Sequence, residues 1–218
     1  MKLLLTSSGI TNKSIENALL ELLDKPFNKA NLVFIPTAAN VEEDISGWLE
    51  NDINNFKKLE FLSFEVIDIA KILKNIWLPI FEKSDVLVFG GGNTKYLYEQ
   101  ISDSGLKELL PGFLKNKVYV GISAGSMVTA RNINFSSDSI LYYEKTGKLE
   151  NIKGLGFIDF EIRPHLNSKW FPKVRLDYLK KLAKKIPNTF YAIDDNTAVK
   201  IINGKISVVS KGAWKKFN

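Results

Sequence analysis

The 218-residue sequence has no cysteine and only one histidine, His165. The lack of cysteine excludes disulfide bonds and any thiolate nucleophile. A zinc site built from several His and Cys ligands is disfavoured for the same reason, and we expect neither a metal nor another cofactor. If the protein uses an imidazole as a general base, that base has to be His165.

Arginine is also scarce, occurring only at positions 131, 163 and 175, so the net charge of +6 comes from scattered lysines. Nucleic-acid-binding proteins more often cluster arginine and aromatic residues, so we interpret the lysines as a solvated surface and expect no nucleic-acid partner. No apolar run approaches the roughly 20 residues that span a membrane, and the first one is too short for a signal peptide. The length predicts one domain, residues 1–218, which we expect to be cytoplasmic, without a membrane partner and of undetermined oligomeric state.

Apolar runs of strand length alternate with helical patterns from the N-terminus to about residue 130. The predicted strands are 2–6, 31–36, 64–69, 85–89 and 117–122, and the predicted helices include 12–24, 41–56 and 72–81. The strands are continuously apolar, which is typical of a parallel sheet covered on both faces. Two β-rich runs joined by Asn203-Gly204 predict a C-terminal β-hairpin. The predicted fold is therefore α/β, a doubly wound and mostly parallel sheet with helices on both faces.

The fifth predicted strand runs into the segment GISAG, residues 121–125, in which a serine stands among small residues. A G-x-S-x-G sequence between a strand and a helix is the pattern of a nucleophile elbow, where a strained turn projects the serine hydroxyl away from the sheet. Small neighbours avoid clashes in such a turn, and the backbone N–H of Ala124 would be an oxyanion donor for chemistry at Ser123. The alternative is a glycine-rich strand-to-helix turn without a catalytic function.

A second glycine-rich segment, GGGN at residues 90–93, follows the fourth predicted strand. Consecutive glycines allow close approach of the backbone and can direct bare N–H groups at an anion. The segment matches neither a Walker motif nor a dinucleotide fingerprint. Next to Ser123, Gly91 or Gly92 would supply a second oxyanion donor. The compatible alternative is a tight turn in which Asn93 caps the next helix.

His165 follows Pro164 and a short predicted strand around residues 160–162. A lone histidine is more often structural, but beside a serine nucleophile it would act as the general base. Such a base needs a carboxylate that holds its tautomer and stabilises the imidazolium. The candidate carboxylates are Asp194 and Asp195, which follow a short predicted strand at residues 191–193, and Asp138. Glu161 is expected to be a solvated strand residue.

The segments FGGGNT, GISAGSM and RPHL, in this order, resemble the peptidase E family of serine peptidases. That family is related to cyanophycinases and has a fold like that of the class I glutamine amidotransferases. The likeness covers most of the chain, and AIDDNTAV is similar to the family's acidic segment before a final hairpin. The resemblance implies Ser123 as nucleophile, His165 as base, and Ala124 with the glycine-rich loop as oxyanion hole. It also implies cleavage of short peptides with an N-terminal aspartate.

Where the family often has Glu-Gly, this chain has Asp195-Asn196, and Asp138 falls at a spacing where the family can carry an aspartate. We prefer Asp195 as the acid, because catalytic carboxylates tend to come from loops at strand ends. Recognition of an N-terminal aspartate would require a cation near the substrate. The residues assigned to substrate binding are Asn93, Arg163 and Arg175.

The sequence thus predicts a serine exopeptidase whose partner is a small peptide substrate. An esterase or other acyl hydrolase with the same triad is one alternative, although an α/β-hydrolase would normally be longer, with more strands. A non-catalytic ligand-binding homologue is the other alternative. The presence of both Ser123 and His165 argues against it.

Overall fold

The computed structural model describes residues 1–45, 47–133, 135–143 and 152–218, and the side chains at 135–138 and 152 fall outside that description. Within these ranges the strands are β1 (Lys2–Thr6), β2 (Asn31–Ile35), β3 (Ser63–Val66), β4 (Val86–Phe89), β5 (Val118–Ile122), β6 (Asn132–Ile133), β7 (Ile152–Lys153), β8 (Glu161–Arg163), β9 (Phe190–Ile193), β10 (Thr197–Ile202), β11 (Lys205–Ser210) and β12 (Trp214–Phe217). The helices are α1 (Lys13–Leu23), α2 (Trp48–Lys57), α3 (Lys74–Lys83), α4 (Thr94–Asp103), α5 (Leu106–Phe113), α6 (Ala124–Met127), α7 (Phe135–Tyr142) and α8 (Leu176–Ala183). None of the helices in the described ranges has the length and apolar character that a membrane crossing needs.

The main sheet has seven strands in the order β11-β10-β1-β5-β4-β2-β3. The five strands from β1 to β3 in this order are parallel, and β10 and β11 are added antiparallel at one side. The hairpin turn between β10 and β11 consists of Asn203 and Gly204, with φ of 48° and 83°. Positive φ at both positions matches the right-handed twist of paired strands. The predictions of a mostly parallel sheet and of a C-terminal hairpin are confirmed.

Successive residues of the buried strands point into two separate cores, because side chains alternate across a strand. In β1, Leu3 and Leu5 pack into the core under α3, α4 and α5, whereas Leu4 packs into the core under α1 and α2. Both faces of the strand are therefore buried. This explains why the strand sequences are continuously apolar, and it confirms that helices cover both faces of the sheet.

A second, three-stranded sheet has the order β12-β9-β8. The sequence predicted its strands β8 and β9 as short strands near residues 160–162 and 191–193, but it did not predict β12. One of its faces contributes Ile162 and Tyr191 to the core under α3 to α5. The other face contributes Phe190 and Phe217 to a third core with α8. The parallel strands β8 and β9 end side by side, so the loops that follow them start at the same edge of this sheet.

The helix predicted over 41–56 is wrong at its start, since α2 begins only at Trp48. A 3-10 helix over Thr37–Val41 comes first, and Gly47, with φ of 82°, directly precedes α2. A left-handed residue cannot continue an α-helix.

Candidate active site

Ser123 occupies a strained turn between β5 and α6. Its φ of 48° and ψ of −108° lie outside the regions that non-glycine residues favour,. Its backbone N–H donates to the carbonyl oxygen of Thr6 at 3.1 Å, which ties the turn to the end of β1. This is the geometry that the G-x-S-x-G pattern predicts, with the serine at the corner between strand and helix.

The two glycines of the pattern are required by close backbone approaches. A Cβ on Gly121 would lie 2.6 Å from the carbonyl oxygen of Gly125. A Cβ on Gly125 would lie 2.0 Å from the carbonyl oxygen of Phe89 at the end of β4. Both distances are far shorter than non-bonded contacts, so any larger residue would push the turn away from β4 and displace Ser123.

His165 lies on the other side of the Ser123 hydroxyl, two residues after β8. Its Nε2 is 2.9 Å from Ser123 Oγ. The ring of Phe171 stacks on the imidazole with centroids 4.8 Å apart and an interplanar angle of 28°. His165 itself has a φ of 62°, and the next residue, Leu166, donates its N–H to the carbonyl oxygen of Ile193 at 3.0 Å. Packing and backbone contacts thus hold the imidazole in place.

Asp195 approaches the opposite nitrogen of this imidazole, with Oδ1 2.8 Å from His165 Nδ1. Burial by itself raises the pKa of Asp195, but hydrogen bonds from His165, Ser7 and Ser8 and the charge interaction with His165 outweigh it and lower the pKa to about 2. An ionised carboxylate only accepts hydrogen bonds, so Nδ1 carries the proton. Nε2 is then the acceptor for the hydroxyl hydrogen of Ser123.

Ser7 joins the site although the sequence patterns did not indicate it. Its Oγ donates to Asp195 Oδ1 at 2.6 Å and accepts from the backbone N–H of His165 at 2.8 Å. The side chain is fully buried. In the parallel pairing of β1 with β5, Thr6 is level with Ile122, so Ser7 is level with Ser123. The signal available in the sequence was Ser7-Ser8, a pair of polar residues directly after the buried first strand.

Asp194, the second candidate acid, has other hydrogen-bond partners than Asp195. The carboxylate of Asp194 accepts hydrogen bonds from the backbone N–H of Asn196, the hydroxyl of Thr197 and the backbone N–H of Ala213. It therefore ties the loop after β9 to the segment before β12. Asp138 falls in α7, but its side chain lies outside the described part of the chain.

Of the predicted oxyanion donors, Ala124 directly follows Ser123 in the chain and Gly91 lies beside it. A Cβ on Gly91 would lie 3.5 Å from Ser123 Cβ, so the loop after β4 passes directly beside the serine. Gly92 has a φ of 126° and approaches the backbone of Ala38, which leaves no room for a side chain. The described part of the chain supplies no acceptor for the N–H groups of Gly91, Gly92 or Ala124. These groups can donate to a ligand.

Two of the residues assigned to substrate binding have side chains that form hydrogen bonds within the protein. Asn93 is buried, and its Oδ1 accepts the N–H of Tyr96 at 2.9 Å as the cap of α4. The guanidinium group of Arg175 donates to three backbone carbonyl oxygens, those of Ser168, Phe171 and Val174. The contacts of both side chains therefore lie within the protein.

Arg163, the third of these residues, is almost completely buried and forms an ion pair with Glu161. Glu161 is buried as well, and it also accepts a hydrogen bond from Asn188 Nδ2 at 3.0 Å. The expectation that Glu161 is a solvated strand residue is wrong. Arg163 supplies the opposite charge that a buried carboxylate side chain requires,.

No group of three or more His, Asp or Glu side chains suited to a metal ion occurs among the described residues. The groups that the site brings together are a hydroxyl, an imidazole and a carboxylate in hydrogen-bonded sequence, beside backbone N–H groups. Such an arrangement is suited to acyl transfer.

Comparison with known proteins places the chain among peptidases. The sequence profile of Peptidase family S51 matches residues 3–209. An uncharacterised peptidase of Listeria innocua is 32% identical over 184 residues, covering 80% of this chain and 86% of that protein. Peptidase E of Salmonella arizonae is 27% identical over 168 residues, covering 76% of this chain and 69% of that protein.

Solved structures show the same fold. A crystal structure of a candidate peptidase E protein from Listeria monocytogenes EGD-e superposes with a TM-score of 0.78 at 25% identity, covering 97% of this chain and 98% of that one. The crystal structure of a peptidase from an acI-B1 actinobacterium has a TM-score of 0.73 at 20% identity, covering 98% and 88%.

Proposed function

Because the chain belongs to peptidase family S51, and is therefore a serine peptidase, we propose that it is an exopeptidase that hydrolyses short peptides. In this proposal Ser123 is the nucleophile, His165 the general base and Asp195 the acid of the triad. The observation that supports it most is the continuous hydrogen bonding from Ser123 Oγ through the imidazole to Asp195, over distances of 2.9 and 2.8 Å.

The proposed reaction starts with proton transfer from the Ser123 hydroxyl to His165 Nε2 as Oγ attacks the scissile carbonyl carbon. The ionised Asp195 stabilises the imidazolium through the Nδ1–H hydrogen bond. His165 then returns the proton to the leaving amine, which leaves an acyl group on Ser123. Water, activated by the same imidazole, hydrolyses this acyl-enzyme.

The tetrahedral intermediate needs donors for its negatively charged oxygen. The N–H of Ala124 and one of the N–H groups of Gly91 and Gly92 are the proposed donors, because they adjoin Ser123 and have no acceptor in the described chain. Backbone donors of this kind are already oriented before the reaction, so they stabilise the developing charge without reorganisation.

Asp-Xaa dipeptides are the substrates that the resemblance to peptidase E implies, and we propose them as the first to test. The arginines give this specificity little support. Arg131 pairs with Asp159, Arg163 with Glu161, and Arg175 with backbone carbonyl oxygens. An N-terminal aspartate side chain would have to be bound by lysine or by backbone N–H groups.

The test is hydrolysis of a panel of Asp-Xaa and Ala-Xaa dipeptides by the wild-type protein and by Ser123→Ala. Removal of the nucleophile should lower turnover by several orders of magnitude. Ser207→Ala, which removes an exposed hydroxyl on β11, is the matched control and should retain turnover. Near wild-type turnover in Ser123→Ala would refute the proposal, and hydrolysis of esters but of no peptide would favour an esterase instead.

A further inference from the structure

One face of α2 covers the end of the main sheet at the proposed site. Trp48, Asp52 and Phe56 are four residues apart and therefore share this face. A Cβ on Gly91 would lie 3.6 Å from the ring of Trp48. A Cβ on Gly9 would lie 3.5 Å from the ring of Phe56. Asp52 thus lies between the loop beside the nucleophile and the loop that follows β1.

The carboxyl group of Asp52 is buried, and no described residue provides a counter-charge. The side chain is 8% exposed, and the described part of the chain gives it neither a hydrogen-bond donor nor a cation. Burial, and secondly the negative charge of Asp195, raise the pKa of Asp52 to about 7. The influence of Asp195 places Asp52 near the acid end of the proposed triad. A buried acid without a partner destabilises a fold, so such a group calls for a ligand that completes it.

We propose that Asp52 binds the positively charged α-ammonium group of the peptide substrate, and that this contact selects peptides with a free N-terminus. The inference rests on the proposed function, in which the scissile carbonyl group lies at Ser123. In a peptide whose N-terminal residue is being removed, the α-nitrogen is only about 2.5 Å from the scissile carbonyl carbon, given bond lengths of about 1.5 Å. The ammonium group would therefore lie close to Ser123, whose neighbour Gly91 is adjacent to Trp48, one helical turn before Asp52,.

The charges around Asp52 favour an ammonium ion over an uncharged group. A cation beside Asp52 is attracted by this carboxylate and by Asp195, and it stabilises the ionised form of Asp52,. An N-acetylated peptide brings no positive charge and leaves Asp52 buried without a partner. A charge-assisted hydrogen bond contributes more than a neutral one, so its loss should be visible in substrate affinity.

The experiment compares a dipeptide with its N-acetylated form as substrates of the wild-type enzyme, of Asp52→Asn and of Glu50→Gln. Glu50 is an exposed acid on the same helix, so its variant removes one negative charge outside the site. The wild-type enzyme and Glu50→Gln should prefer the free amine in kcat/KM. In Asp52→Asn, KM for the free amine should rise about 10- to 100-fold and the preference should shrink by the same factor.

The release of p-nitrophenol from p-nitrophenyl acetate shows whether Ser123 is reactive in each variant, because this ester carries no amine. If Asp52→Asn reacts with the ester and still has the wild-type preference for the free amine, the inference is overturned while the proposed function stands. An equal loss of kcat for the free and for the N-acetylated dipeptide would also overturn the inference, since Asp52 would then affect the reaction only through Asp195. A wild-type enzyme that reacts with neither the ester nor the dipeptides would refute the proposed function together with the inference.

Discussion

At the scale of single residues, the proposed nucleophile and the proposed base both have an unusual backbone conformation. Ser123 and His165 both have positive φ, at 48° and 62°, and their side chains meet at 2.9 Å. Each strained residue is held by a backbone hydrogen bond, from Ser123 to Thr6 and from His165 to Ser7. Strain of this kind persists only where the surrounding contacts overdetermine it, and it is typical of pre-organised sites.

Asp195→Asn should lower kcat by a factor on the order of 10⁴, because an amide favours the wrong tautomer of the catalytic imidazole. Asp138→Asn should act mainly on KM or on loop order. Dipeptide kinetics of the two variants measure this asymmetry. Unchanged turnover in Asp195→Asn beside an inactive Asp138→Asn would transfer the role of the acid to Asp138 and leave Ser123 and His165 in place.

Ser7→Ala should lower kcat about 10-fold or more with little change in KM, since a hydrogen bond to a charged group contributes about 1.5–3 kcal/mol. The lost hydroxyl orients Asp195 and the backbone of His165, and it has no contact with the scissile bond in the proposed reaction. Steady-state kinetics separate kcat from KM, and a melting curve reports any general loss of stability. A variant with wild-type kcat would show that Ser7 has only a structural role.

At the scale of elements, the site consists of loops that follow parallel strands. The loops after β1, β4 and β5 supply Ser7, the glycine donors and Ser123, and the loops after β8 and β9 supply His165 and Asp195. The sequence did not indicate the loop after β1, but it allowed the other four loops to be identified, because apolar runs mark the strands and polar or glycine-rich residues follow them. It did not show that α2 begins at Trp48, since that start depends on the conformation of Gly47.

Asp52 should make the stability of the fold decrease as pH rises. Its carboxyl group titrates near pH 3.8 in the unfolded chain and at about 7 in the folded protein. Between these values the folded state holds a proton that the unfolded state has released, so the free energy of unfolding falls as pH rises through this window and is flat above it. With 1.36 kcal/mol for each pKa unit, the decrease is on the order of 2–4 kcal/mol.

Asp52→Asn lacks this titration. Its free energy of unfolding should therefore rise relative to that of the wild type when the pH is raised from 4.5 to 8.5. Urea unfolding of both proteins at the two pH values measures the difference, with Glu50→Gln as the control. If the free energies of unfolding of wild type and Asp52→Asn change in parallel with pH, Asp52 is not a buried acid with a raised pKa.

At the scale of the whole molecule, the proposed site lies where two sheets meet. The seven-stranded sheet provides the nucleophile and the backbone donors, and the three-stranded sheet provides the base and the acid. The main sheet could be predicted because its strands are continuous apolar runs that alternate with helical patterns. The second sheet could be predicted only in part, as short strands before His165 and before Asp194. The sequence did not indicate β12, because two lysines stand between Trp214 and Phe217 and the strand is defined by its pairing with β9.

The central claim is that Ser123 is a nucleophile activated by His165. Incubation with a fluorophosphonate, followed by digestion and tandem mass spectrometry, tests it most directly, because the reagent reacts with activated serine hydroxyl groups and forms a stable adduct. We predict one adduct on Ser123 in the wild-type protein, and none in Ser123→Ala or His165→Ala under the same conditions. An adduct on another serine, or equal labelling of Ser123 in His165→Ala, would contradict the account.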